Sequence, residues 1–338
     1  MRKSMDRTGR GAVSALAALA LSAALTSAAA APAPGDSARV PFAERFHTTG
    51  HGGISRAAAS WPGCRAAGRR AGAARSGPSR ARLRLPAGAR VRYARLYWGG
   101  GLPAGALGAG GHRTGPDPAR VLLAGPGGRY RPVRADGAIG HRTTPRADTY
   151  QASADVTALV RQGGPGPYTV ARATGARART ASWGGWALVA VYTHPRAPLR
   201  RLALWDGFEE LGGRRRALTV ALNGLRIPPG ARGRAGTVTY HGMRDNESGI
   251  TAKAGRNTPV VLRDSAGPAN SPAKSAGPDF GGRTVRAPEC RTTGRLDSGL
   301  FDLTPALRYG GDRLAFRFTT RKAGYLLGAL FVQAGAGH

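Results

Sequence analysis

Apolar residues along this chain recur at every second position, the period of a strand with one buried face. Arg82-Leu83-Arg84-Leu85 alternates, and Pro86-Ala87-Gly88 ends it as a turn. Val91–Trp98 is a second run, rich in aromatic and β-branched types. Arg120–Ala124 and Arg129–Val133 follow, parted by Gly125-Pro126-Gly127-Gly128, and Tyr168–Ala173 and Trp186–Tyr192 complete the series. Beyond them Leu199–Trp205, Arg216–Leu222, Thr237–Tyr240, Leu314–Thr319 and Tyr325–Val332 read the same way. No segment sustains a 3.6-residue apolar period, so the chain is expected to hold very little helix. Asp155–Arg161 is the exception, one short helical turn that Asp155 or Thr157 can cap. Short strands with Gly/Pro punctuation predict an all-β protein of antiparallel sandwich or jelly-roll type.

The pattern occurs twice. Leu83-Arg84-Leu85-Pro86-Ala87-Gly88-Ala89-Arg90 returns as Leu225-Arg226-Ile227-Pro228-Pro229-Gly230-Ala231-Arg232. Val121-Leu122 returns more weakly as Val260-Val261-Leu262. Asp155-Val156-Thr157 through Gly163-Gly164 returns as Asp302-Leu303-Thr304 through Gly310-Gly311, and Gly185–Val189 as Leu327–Phe331. A spacing close to the size of a whole domain predicts two tandem jelly-roll-like β-sandwiches. We divide the chain into a leader (1–30), an N-terminal extension with an Arg-rich loop partly joining the first sandwich (31–81), a first sandwich (82–195) and its duplicate (196–338).

The leader has the form of a secretion signal. Arg2, Lys3, Arg7 and Arg10 precede an Ala/Leu-rich stretch over 12–25, and Ala28-Ala29-Ala30 offers a cleavage site. The apolar run is shorter than the roughly 20 residues that span a bilayer, so no transmembrane anchor is expected. The expected location is extracellular, released or held non-covalently at the cell wall. The chain has only two cysteines, Cys64 and Cys290. In an oxidising compartment they read as one disulfide, with two buried thiols as the alternative.

Charge is the compositional outlier, with 51 Lys and Arg against 18 Asp and Glu and a formal net charge of +33. Two explanations stand side by side: the Arg bias of an Ala/Gly/Pro-rich genome, or a surface that attracts polyanions. Residues 65–95 hold Arg65, Arg69, Arg70, Arg75, Arg80, Arg82, Arg84, Arg90, Arg92 and Arg95 with no acid among them. Alternation puts Arg82 and Arg84 on one solvent face, and Arg214-Arg215-Arg216 adds a loop-borne cluster. Guanidinium groups bind phosphate in bidentate fashion. The expected partner is therefore an anionic envelope polymer such as teichoic acid, or extracellular DNA.

Other chemistry is sparse. The chain has no Gly-x-Ser-x-Gly elbow, His-Glu-x-x-His or Walker loop, and no cofactor is expected. His47 and His51 stand four apart in Gly-rich surroundings, which argues against the helix that would align them on a metal. Asp245 and Glu247 lie in the densest oxygen cluster and are a weak calcium candidate, with a polar turn as the plainer reading. Asp155 and Asp302 are expected to cap the same turn in each copy, with a catalytic carboxylate pair in one cleft as the alternative. Trp98 and Trp183 are candidate stacking surfaces for a glycan, with core packing as the alternative. The second functional reading is accordingly a carbohydrate-binding or carbohydrate-active sandwich with a loop-borne site.

The run Leu85–Ala89, Ala94-Arg95-Leu96-Tyr97-Trp98-Gly99-Gly100, Tyr150–Thr157, Trp183–Tyr192 and Trp205-Asp206-Gly207 resembles a family of uncharacterised secreted proteins of high-GC Gram-positive bacteria. In that family the region often precedes immunoglobulin-like or prealbumin-like surface repeats, which implies an adhesin-like cell-surface organisation. This chain ends after the second sandwich and is unusually basic.

Overall fold

The structure is a computed structural model that describes residues 36–37, 39–61, 78–102, 117–144, 147–172, 183–240, 248–262, 286–287, 296–321 and 324–336. The leader, Cys64, Cys290, Asp245, Glu247, Arg65, Arg69, Arg70 and Arg75 lie outside the described residues.

Strands make up about two thirds of the described residues. They begin with β1 (Asp36–Ser37), β2 (Val40–Ser60), β3 (Ser79–Leu83), β4 (Arg90–Leu102) and β5 (Arg120–Ala124). Next come β6 (Tyr130–Arg134), β7 (Ile139–Thr144), β8 (Ala147–Asp155), the helix α1 (Thr157–Gly163), β9 (Gly166–Arg172) and β10 (Trp183–Thr193). The second half has β11 (Leu199–Leu211), β12 (Ala217–Leu222), β13 (Gly233–Tyr240), β14 (Ser248–Ala254), β15 (Val260–Val261) and β16 (Arg286–Ala287). It closes with β17 (Leu296–Asp297), β18 (Leu300–Asp302), a 3-10 turn over Thr304–Leu307, β19 (Leu314–Thr320) and β20 (Tyr325–Gly335).

In the first half, β2-β10-β4-β8 form one sheet and β3-β9-β5-β6 the facing sheet, with the two-residue β16 from further along the chain added at the β3 edge. In the second, β11-β20-β13-β18 face β12-β19-β14-β15. Both are the jelly-roll pairing, and the two orders correspond strand for strand, so the fold is two tandem jelly rolls. The correspondence corrects one weak landmark. Val121-Leu122 lies in β5, whose counterpart is β14; Val260-Val261 is β15, the counterpart of β6.

The turns repeat as closely as the sheets. Asp155 accepts the Thr157 amide at 2.8 Å, and Asp302 accepts the Thr304 amide at 3.0 Å. Each threonine hydroxyl in turn accepts an amide from the neighbouring strand, Ala94 at 2.9 Å and Gly233 at 3.3 Å. The aspartates thus hold equivalent turns, one residue ahead of the helix cap itself. Gly88 (φ 80°) and Gly230 (φ 72°) close the Pro-x-Gly turns in the left-handed region, where a side chain is disfavoured.

Each jelly roll has its own core. Leu83, Leu96, Trp98, Val121, Tyr168 and Trp186 fill the first; Leu218, Ile250, Phe316, Phe318 and Leu330 fill the second. A third cluster lies between the two β10- and β20-bearing sheets, with Ile54, Tyr97, Val189, Leu204, Tyr240 and Phe331 among its members. This explains why Trp186–Tyr192 and Tyr325–Val332 are the longest apolar runs among the described residues. Both faces of these strands are covered, so alternation disappears. On β10, Trp186, Leu188 and Ala190 enter the first core, while Ala187, Val189 and Val191 enter the seam.

The seam is tight because glycines line it. A Cβ at Gly99 would stand 2.8 Å from the Tyr240 ring, and one at Gly328 would stand 2.7 Å from it. Charges also cross it. Arg95 on β4, almost fully buried, approaches Asp206 of β11 at 3.1 Å, and its Nη1 and Nη2 donate to the Asp136 carboxylate. Tyr97 donates to Asp206 at 3.1 Å, and Arg45 pairs with the same carboxylate.

β2 belongs to both jelly rolls. Residues 52–60 pair with β10, and most of 40–51 pair with β11. The 31–81 extension therefore supplies a first strand to the first jelly roll and an edge to the second. Among the described residues no helix is long and apolar enough to cross a membrane.

Candidate polyanion-binding face

The outer sheet of the first jelly roll is built from Ser79-Arg-Ala-Arg-Leu83, Arg120-Val-Leu-Leu-Ala124, Tyr130-Arg-Pro-Val-Arg134 and Gly166-Pro-Tyr-Thr-Val-Ala-Arg172. None of the four strands contains Asp or Glu. The pleat sends Ala81, Leu83, Val121, Leu123, Val133, Tyr168 and Val170 inward, where all are buried. The alternate positions face solvent. Arg80 and Arg82 stand on β3, opposite Thr169 and Pro167 of β9. Arg120 on β5 stands directly opposite Arg134 on β6. Arg80 shares its row with Thr169, Ala124 and Tyr130, while Arg120 and Arg134 stand four residues away along the strands. With about 4.8 Å between strands and about 3.4 Å per residue, the two arginine flanks lie diagonally, roughly 15–25 Å from one another.

Between the flanks runs a neutral band of Thr169, Ala171, Leu122 and Pro132. Tyr130 closes the β6 edge with 43% of its surface exposed. Arg80 Nε donates to the Thr169 hydroxyl at 3.2 Å, which orients its guanidinium along the sheet. Arg120 has Asp117 at 3.6 Å, a long and solvent-exposed pair of little strength. Exposed like charges on one face repel only weakly in water and leave a positive surface for a chain of phosphates.

Arg172 stands apart from this face. It points inward at the end of β9, with its guanidinium 4.9 Å from the centre of the Trp61 ring. Burial holds it below the ordinary arginine range.

The predicted site residues are distributed unevenly. Arg80, Arg82 and Arg84 are all exposed, the first two on the face just described. Arg214, Arg215 and Arg216 lie in the β11–β12 turn. Arg215 is drawn to the buried Glu209, which it meets at 2.5 Å, and Arg216 donates to the Arg321 carbonyl; Arg214 is exposed. Arg39 also pairs with Glu209, at 2.9 Å, so this carboxylate anchors two arginines rather than leaving them to a ligand.

Trp98 needs correction as a stacking surface. It has no exposed area, lies in the first core and donates its indole N–H to the Pro118 carbonyl at 2.8 Å. Trp183 begins β10, and its side chain lies outside the described residues. His47 contacts Glu44, and His51 is 2.7 Å from the Ala197 carbonyl. Among the described residues no three His, Cys, Asp or Glu side chains converge as a metal site.

Sequence reasoning missed Arg120, Arg134 and Tyr130. The signal was present, because Tyr130-x-Pro132-x-Arg134 has the same period of two as Arg80-x-Arg82. What was absent was the pairing that brings Arg134 opposite Arg120.

The outer sheet of the second jelly roll offers a control. Its strands also lack acids, but the solvent positions are Thr219, Ala221, Thr251, Lys253, Ala315, Arg317 and Thr319. It is a threonine-rich face with two basic residues.

No family model matches the chain, and no curated protein is similar to it. Among solved structures, the chain is similar to the major capsid protein P2 of bacteriophage PM2, with 12% identity over 84% of this chain and 98% of that one and a TM-score of 0.18. It is also similar to PNGase F, a glycosylasparaginase from Flavobacterium meningosepticum, with 12% identity over 88% and 96% and a TM-score of 0.22. The jelly-roll assignment rests on strand order alone.

Proposed function

We propose that this is a secreted, non-enzymatic protein that binds extracellular polyanions through the outer sheet of its first jelly roll. The observation that carries the reading is the set of outward Arg80, Arg82, Arg120 and Arg134 on strands that contain no acid. Genome bias alone does not account for it. Both halves draw on the same codons, yet the first outer sheet turns Arg80, Arg82, Arg120 and Arg134 to solvent where the second has Arg317 and Lys253. The leader and the resemblance to secreted proteins support an extracellular setting, where teichoic acid and released DNA are the abundant phosphate polymers.

The mechanism is counterion release. Each phosphate neutralised by an arginine frees condensed cations, so log K falls with log salt by about 0.9 per contact on duplex DNA. Four contacts give a slope of roughly −3.5. The neutral band reads no sequence and no sugar.

The test is binding of the full chain to DNA and to glycerol-phosphate teichoic acid across a salt series. Two variants are compared: Arg80→Ser/Arg82→Ser/Arg120→Ser/Arg134→Ser, and Lys253→Ser/Arg317→Ser. The first should lose at least about tenfold in affinity and most of the salt slope, while the second loses less than about twofold. Equal losses in the two variants, or binding indifferent to salt, would sink the proposal.

A further inference from the structure

A second feature of the first jelly roll is separate from the basic face. The turn Gly125-Pro126-Gly127-Gly128 joining β5 to β6 overhangs α1 and leaves a cleft of about 320 Å³. Its apolar lining is Leu123 and Tyr168, both nearly fully buried, and the half-buried Leu159 of α1. The Tyr168 hydroxyl is already committed, donating to the Gly164 carbonyl at 2.8 Å, so the tyrosine gives the cleft its ring and not its polar end. The polar lining is Arg129, Arg131 and Gln162, all exposed, and no acid among the described residues borders the space.

The duplicate shows that such a gap is not forced by the fold. The corresponding turn, between β14 and β15, is bound down onto the body. The Gly255 amide donates to the Arg313 carbonyl at 2.8 Å, and the Asn257 side chain reaches the Ala306 and Gly310 carbonyls at 3.4 and 3.5 Å. In the first copy the Gly128 amide turns back to the carbonyl of Gly125 in its own turn, at 2.9 Å. Among the described residues no hydrogen bond ties this turn to α1. A side chain built at Gly127 would meet nothing within 4 Å, so the space above it is open.

We infer that this cleft is a binding site for a small phosphate monoester with a flat or short apolar body. Two guanidinium groups at the rim, with no carboxylate partner among the described residues, match the charge and the bidentate geometry of a phosphate dianion. The Leu123–Leu159–Tyr168 floor takes the apolar part, in a volume at the lower end of ligand pockets. A polymer passes over the outer sheet, whereas only a small molecule or a chain end fits here. The inference goes beyond the polyanion reading and does not depend on it.

Isothermal titration of the full chain with phenyl phosphate, inorganic phosphate and phenol tests it. Phenyl phosphate should bind at least about tenfold more tightly than either fragment, since each fragment lacks one half of the recognition. Arg129→Ala/Arg131→Ala, at exposed positions where the fold tolerates change, should weaken it by about tenfold or more. The Arg80, Arg82, Arg120, Arg134 variant should bind phenyl phosphate as the parent does while losing polymer binding. Equal affinity for inorganic and phenyl phosphate, an unchanged Arg129→Ala/Arg131→Ala variant, or no measurable binding at millimolar ligand would each overturn the assignment. Loss of phenyl phosphate binding in the four-arginine variant would also overturn it as a separate site.

Discussion

Arg80 and Arg82 occupy the outward positions of a strand whose counterpart in the second jelly roll presents Thr219 and Ala221. Beneath those positions the two halves are nearly superimposable in plan. Strand order, the Asp-x-Thr turn and the left-handed glycine of the Pro-x-Gly turn all recur. The comparison separates two kinds of constraint. Turns and core positions are retained because a change there loses a hydrogen bond or leaves a cavity. Solvent positions on a sheet tolerate almost anything, so a charge difference there is not demanded by folding.

The largest test of how independent the halves are is Asp206→Asn. It removes the carboxylate that Arg95, Arg45 and Tyr97 share across the seam, and should lower stability by about 3 kcal/mol. Chemical denaturation followed by tryptophan fluorescence should still show one transition. Two separated transitions would mean that the jelly rolls unfold independently and that the seam is only a contact.

Alkali should act on both halves together. Burial pushes the Tyr150 and Tyr168 phenols of the first jelly roll up to about 12, and raises Tyr240 and Tyr325 of the second. A folded-state value above the unfolded one contributes stability that is complete below about pH 10 and declines as pH rises toward 12. Phenolate absorbance should therefore rise together with loss of structure. Titration of these phenols near pH 10, with the fold intact, would contradict their burial.

A transplant sharpens the contrast. Thr219→Arg/Ala221→Arg should give the threonine-rich sheet a polymer affinity about tenfold above that of the Arg80, Arg82, Arg120, Arg134 variant carrying it. Failure of that gain would show that spacing across the sheet, and not charge alone, matters.

The smallest effects test the duplication itself. Asp155→Ala and Asp302→Ala should each destabilise by about 1 kcal/mol, and the double variant by about the sum. Gly88→Ala and Gly230→Ala should also match one another at about 1 kcal/mol, since each glycine stands in open space and only its backbone angle resists the change. Unequal members in either pair, measured by denaturant titration, would show that the turns are similar in form but not in load.

Much of this was legible from residue order. Alternation marked the strands, and the two copies of Asp-x-Thr and Pro-x-Gly marked the repeat, because turn chemistry is local. Partner choice was less legible. Nothing in Val40–Ser60 tells where the chain stops pairing with one jelly roll and begins with the other, since hydrogen-bond partners are set by distant strands. Trp98 shows the same limit: an aromatic on a strand suits a platform or a core equally, and the Pro118 carbonyl that settles it lies twenty residues away. For the same reason the Arg120–Arg134 pair emerges only when β5 and β6 are laid side by side.

The shared strand β2 also has a consequence in time. Its partners are β10 and β11, each more than 120 residues further along the chain. Until both have been made, Val40–Ser60 has no sheet to join, although it emerges before every other long strand. Assembly must run from local hairpins such as β5–β6 toward this most distant closure, with the loop-entropy penalty that makes such topologies slow. The first long strand delivered is among the last to be locked, and the molecule is not finished in either half until that one segment has paired with both.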